Sequence, residues 1–115
     1  MLVAVRIGTP LGFGYVDDTA ASIDTRRMWT TIPSKFALPL VLRDLHPARD
    51  FAAQGVEGLR ESVARIEMGG RSIVSSVLVS DRIDHVVIGL ANLTSLCFRY
   101  DAVEDRLIET ELLLK

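Results

Sequence analysis

Ala64-Arg65-Ile66-Glu67-Met68-Gly69-Gly70-Arg71, continuing through Ile73 to Val79, is the stretch that decides the fold. Ala64, Ile66 and Met68 alternate with Arg65 and Glu67, the period of a strand with one face in a core and the other in water. Gly69-Gly70 supplies a two-residue turn of the kind whose backbone needs positive φ, and the β-branched run after it reads as the returning partner. A hairpin here predicts a mainly β chain.

Toward the N-terminus, Leu2 to Ile7 is apolar and β-branched enough for a strand, which Gly8, Pro10, Gly12 and Gly14 then break. Tyr15 to Thr31 follows neither the helical nor the strand period and reads as strand and turn. Pro33-Ser34-Lys35-Phe36-Ala37-Leu38 predicts a short helix with proline in its first turn. His46 to Gly58 mixes Pro47, Gly55 and Gly58 with small and polar residues, the composition of a mobile loop or projecting hairpin. Toward the C-terminus, Ile83 to Ile88 predicts a strand that Gly89 ends. Leu90, Leu93 and Leu96 at helical spacing predict one or two turns of helix, and Cys97 to Tyr100 returns to strand character. Asp101 to Asp105 is a polar turn, after which Leu107-Ile108 and Leu112-Leu113-Leu114 predict a last strand or strand-like tail. No repeat, low-complexity segment or linker interrupts the chain, so residues 1–115 are expected to form a single domain.

The 115 residues are 49% hydrophobic, enough apolar surface to fill one core. Thirteen basic and 15 acidic residues give a net charge of −2, with no long run of Lys or Arg, which argues against nucleic acid and anionic membrane as partners. Cys97 is the only cysteine, so no intrachain disulfide can form. His46 and His85 stand far apart without metal-ligand spacing; no metal and no cofactor is expected. Arg6 interrupts the apolar N-terminus, no apolar run approaches membrane-spanning length, and the expected location is cytoplasmic. The sequon Asn92-Leu93-Thr94 carries no weight in that compartment.

This order of elements resembles the retropepsin-like aspartic protease family over nearly the whole chain. In the C-terminal half, the Ala64 to Arg71 hairpin leading to Val77-Leu78-Val79 is similar to the family's hairpin. Ile83-Asp84-His85-Val86-Val87-Ile88-Gly89-Leu90 resembles its hydrophobic-hydrophobic-Gly segment, with Leu93 in the following helix, and Tyr100-Asp101 with Arg106-Leu107 resembles the closing hairpin of archaeal and bacterial members. In the N-terminal half, Asp24-Thr25 followed by Thr30-Thr31-Ile32-Pro33 reproduces the spacing from the family's Asp-Thr-Gly-Ala to its Thr-x-Ile-Pro stretch. Asp18-Thr19-Ala20-Ala21-Ser22 is the alternative register: it keeps small residues after the aspartate but needs an insertion before Ile32-Pro33.

The resemblance implies a single-lobe, closed β barrel with one short helix near the C-terminal end and a flap around residues 46–60. It implies a homodimer acting on peptides, in which a water is held between two symmetry-related aspartates, Asp24 (or Asp18) from each subunit, flanked by Thr25 (or Thr19). Arg26, Trp29, Gly55 and Ile88 are then the expected substrate-side residues. Two departures stand out. Arg26 and Arg27 replace the family's Gly and Ala, which puts a cation where the dyad needs a shared proton. Leu90 replaces the Arg that many retroviral members carry after the glycine. A catalytically impaired, protease-like dimer that binds peptide or protein is therefore the alternative function, and a small structural β domain a third. Cys97 and His85, flanked by apolar residues, are expected to be structural.

Overall fold

A computed structural model of the chain describes residues 1–42 and 59–110. Its elements run β1 (Leu2–Gly8), β2 (Tyr15–Asp24), β3 (Thr31–Pro33), α1 (Ser34–Leu40), β4 (Leu59–Met68), β5 (Arg71–Ser80), β6 (Val87–Gly89), α2 (Leu90–Ser95), β7 (Phe98–Asp101) and β8 (Arg106–Glu109). Six strands close a barrel in the order β1-β2-β6-β3-β5-β4, and β7-β8 form a separate two-stranded sheet. The expected mainly β, closed barrel is therefore present, with a short helix on each side of the β4-β5 hairpin in sequence.

The deciding hairpin pairs in unbroken register from Leu59↔Ser80 to Met68↔Arg71. Gly69 and Gly70 have φ of 58° and 77°, the paired positive values that a tight two-residue turn demands and that glycine adopts without strain. Ala64, Ile66 and Met68 point inward and are buried, as their alternation requires. They meet Ile7, Ile32, Val77, Ile88, Leu93 and Leu96 in one cluster, and burying each large aliphatic side chain contributes roughly 1.5–3 kcal/mol. The β7-β8 sheet is held to the barrel through Phe98, whose ring covers the Gly69 turn. Arg71 stacks on that ring, 4.9 Å from its centroid, and donates to the carbonyls of Leu96 and Cys97.

Tyr15 to Thr31 is strand and turn as expected: its first ten residues form β2, which pairs with β1 across a register shift between Val3 and Val5 and, over Ser22 to Asp24, with β6. Two other local expectations are corrected. The strand expected from Ile83 to Ile88 is confined to Val87–Gly89. The preceding residues bend because the Val86 amide donates to the Asp18 carboxylate, at 2.8 Å, instead of to a neighbouring strand. Pro33 sits at the N-cap of α1 with φ −59°, while Pro39 lies inside the helix, which ends one residue later with Val41 in the left-handed region. The flap expected around 46–60 lies outside the described residues from His46 to Gly58, Gly55 included, as do Leu112 to Leu114; Leu59 and Arg60 belong to β4.

Candidate active site

Asp24 is the last residue of β2 and pairs with Gly89, the last residue of β6, in a parallel register that also matches Ser22 with Val87 and Ile23 with Ile88. The two strands end side by side, so the turn after Asp24 and the helix after Gly89 start from the same point. Asp24 accepts the amide of Arg27 on its backbone oxygen, at 3.1 Å, which closes the turn. The carbonyls of Arg27 and Met28 then accept the amides of Leu90 and Ala91, at 2.8 and 2.9 Å. Helix α2 has no side-chain N-cap, so this turn supplies the acceptors that its first amides would otherwise lack.

Gly89 is obligatory for that arrangement. A Cβ on it would lie 2.5 Å from the Trp29 carbonyl carbon and 2.6 Å from the Met28 oxygen, both backbone atoms that cannot step aside cheaply. Thr30, fully buried, pins the far end of the turn from three directions. Its amide donates to Asn92 Oδ1 at 2.9 Å, its hydroxyl accepts the Gly89 amide at 3.2 Å, and its carbonyl accepts the Leu78 amide at 2.9 Å. Asn92 is itself buried and donates to Ser75 Oγ at 2.8 Å, so each polar group in this interior network has a partner.

The Asp24 carboxylate lies partly exposed, 20% for the side chain, and opens onto a depression of about 430 Å³ that Thr25, Arg26, Arg27, Val87 and Tyr100 also line. Its Oδ1 accepts the Arg26 backbone amide at 3.0 Å and the Arg26 Nε at 3.1 Å, while Arg27 Nε lies 3.5 Å from Oδ2. The Arg26 side chain and then its amide hold the Asp24 carboxyl below the ordinary aspartate value, and the charge of Arg27 adds to this. Arg26 reaches back to Asp24 from an otherwise exposed position, with 90% of its side chain in solvent. Thr25, Met28 and Trp29 are exposed as well, so five consecutive residues after Asp24, two of them large and apolar, face outward.

Asp18 is placed differently. It sits in the middle of β2, 4% exposed, and its carboxylate accepts the amides of Ala20 and Val86 and meets His85 Nδ1 at 3.1 Å. Burial pushes this carboxyl up, but the amides of Val86 and Ala20, together with His85, outweigh it and leave the group below its ordinary value. Thr19, next to it on the strand, is exposed. Ile88 is fully buried in the core cluster, beneath the site and not lining it. Trp29, 43% exposed, borders two depressions: one of about 110 Å³ shared with Glu61 and Val77, and one of about 530 Å³ shared with Arg26, Arg27 and Met28. Among the described residues no group of His, Cys, Asp and Glu side chains is arranged to hold a metal ion.

Sequence reasoning did not find the Thr30-Asn92-Ser75 network. The available signal was a lone asparagine inside the apolar run Leu90-Ala91-Asn92-Leu93, which reads as a helix position or a sequon until its partners, far away in sequence, are known.

No family model matches the sequence, and no curated protein matches it. Among solved structures it is similar to a retroviral protease, that of EIAV complexed with the inhibitor HBY-793, at 16% sequence identity and a TM-score of 0.54, with 84% of this chain and 86% of that chain covered. At that identity the likeness is one of fold: the chain has the retropepsin-like barrel.

Proposed function

We propose that two copies of this chain pair about a two-fold axis and hydrolyse peptide bonds, with Asp24 of each copy on either side of one water. The observation that carries this reading is the position of Asp24: it ends a strand beside Gly89, in a turn fastened by buried Thr30 and opening to solvent. A single copy offers one such carboxylate, so the dyad requires a partner presenting the same turn. Asp24 suits this role better than Asp18, whose carboxylate is buried and already occupied by two backbone amides and His85.

In the dyad, two carboxyl groups about 3 Å apart share one proton, since both cannot be ionised together. The ionised one removes a proton from the water as its oxygen attacks the peptide carbonyl carbon, and the protonated one gives its proton to the carbonyl oxygen. Collapse of the tetrahedral species breaks the C–N bond, and the nitrogen leaves with a proton returned from the dyad. Arg26 must swing off Asp24 before this can happen, and its exposed side chain is free to do so.

The two arginines on Asp24 support a second reading, a dimer that binds extended peptide without cutting it. Incubating the purified chain with a mixed peptide library between about pH 4 and 6, and detecting products by mass spectrometry, separates the two. Cleavage by the wild type, abolished in Asp24→Asn, supports the peptidase. Undiminished cleavage in Asp24→Asn removes Asp24 from the chemistry, and binding without product leaves the second reading. A strictly monomeric chain by light scattering rules out both.

A further inference from the structure

The groove of about 530 Å³ beside the Asp24 turn combines two kinds of lining: the arginines Arg26, Arg27 and Arg82, and apolar side chains including Met28, Trp29 and Ile83. No acidic residue lines it among the described residues. Among the described residues Asp24 is the only carboxylate engaging Arg26 and Arg27, so these two guanidinium groups share one negative charge there. Arg82 is exposed and has no ion-pair partner among the described residues, and its neighbour Asp81 faces Arg60 at 3.8 Å. Glu61 lines the smaller depression on which Trp29 also borders.

We infer that this groove selects extended peptide segments in which an acidic side chain accompanies apolar ones; the inference rests on the peptide-binding reading above. The cationic excess is local, because the whole chain carries −2, so it does not amount to general affinity for polyanions. Guanidinium groups pair with carboxylates through planar, two-pronged hydrogen bonds, and Arg82 is the one of the three with no carboxylate partner among the described residues. Exposed Trp29 and Met28 supply contact area for the apolar neighbours of the acidic residue, in the combination of aromatic, Met and Arg that marks recognition surfaces.

The test uses the full chain and three fluorescein-labelled decapeptides, blocked at both ends so that no terminal carboxylate competes. They share an apolar core and carry Glu, Gln or Lys at the two flanking positions. Binding is read by fluorescence anisotropy near pH 7, where an unprotonated dyad suppresses turnover. The Glu peptide is expected to bind about threefold to tenfold more tightly than the Gln peptide, the range given by one or two exposed ion pairs. The Lys peptide should bind most weakly, and the Glu advantage should shrink at high salt. Arg82→Gln should narrow the Glu-over-Gln ratio and Arg82→Lys, which keeps the charge but not the two-pronged geometry, should restore only part of it, with circular dichroism verifying that both variants fold. Equal binding of the Glu and Gln peptides, or a ratio untouched by Arg82→Gln, overturns the inference while leaving the peptide-binding reading standing. Failure of all three peptides to bind overturns both.

Discussion

The Arg26 guanidinium lies along the carboxylate of Asp24, with Nε 3.1 Å from Oδ1 and a terminal nitrogen 3.4 Å from Oδ2. This contact joins the residue proposed for chemistry to the residue that departs most from the family's pattern. Favouring the ionised carboxylate works against the proton that the proposed dyad would share, so in that reading the contact would set the pH at which hydrolysis could run.

Arg26→Gly is therefore expected to raise peptide cleavage and to move the pH–rate profile upward. The sign follows from the pKa: removing the cation lets the Asp24 carboxyl rise toward its ordinary value, so one proton stays on the pair to a higher pH. Rates measured across about pH 3 to 7 check this. A profile that keeps its position, with a rate no higher than wild type, would mean that Arg26 does not control the dyad.

Gly89→Ala should destabilise the chain by roughly 2–3 kcal/mol, because the added methyl meets backbone at 2.5–2.6 Å and the turn must move away from α2. Chemical denaturation gives the loss directly. The same substitution is expected to reduce peptide cleavage more than the folded fraction explains, since the displaced turn carries Asp24.

Asn92→Ala leaves the buried Thr30 amide without an acceptor, at a cost of about 1–3 kcal/mol. It also removes the donor to Ser75 Oγ, so Ser75→Ala combined with it should cost less than the sum of the two changes. Denaturation midpoints of the single and double variants form the cycle that tests this coupling.

Asp18 predicts how the fold responds to acid. Its folded-state pKa lies below the ordinary value, so its contribution is fully present above about pH 4 and is lost as the pH falls through the lower, folded value. Asp17, paired with Arg6, and Asp24 are shifted in the same direction. Stability measured by urea unfolding should hold steady down to about pH 5 and then decline. Asp18→Asn should cost about 1–3 kcal/mol at neutral pH and flatten part of the acid decline. An acid limb as steep in the variant as in the wild type would assign the loss to other carboxylates.

The elements were legible wherever the pattern is local. Alternation over Ala64 to Met68 and the paired glycines after it needed no knowledge of the rest of the chain, and the same holds for β1, α2 and the polar turn at Asp101 to Asp105. The Ile83 to Ile88 segment misled because its apolar content fits a strand, while a carboxylate 68 residues away takes the Val86 amide. Tyr15 to Thr31 was legible as strand and turn but not where one gives way to the other, because β2 alternates poorly: it carries Asp18 inward, where a polar residue obscures the period, and its pairing with β1 shifts register.

What the sequence determined by itself was the set of strands and turns and the two aspartates worth weighing, because side-chain period and glycine at positive φ act over a few residues. Tertiary structure alone decided which aspartate reaches solvent. Asp18 and Asp24 lie six positions apart on one strand, an interval that composition cannot rank, yet one is enclosed by Val86 and His85 while the other emerges where β2 and β6 end together. The reason is physical: a carboxylate's availability depends on which amides and cations surround it in space, and those come from residues distant in sequence as well as from its own turn.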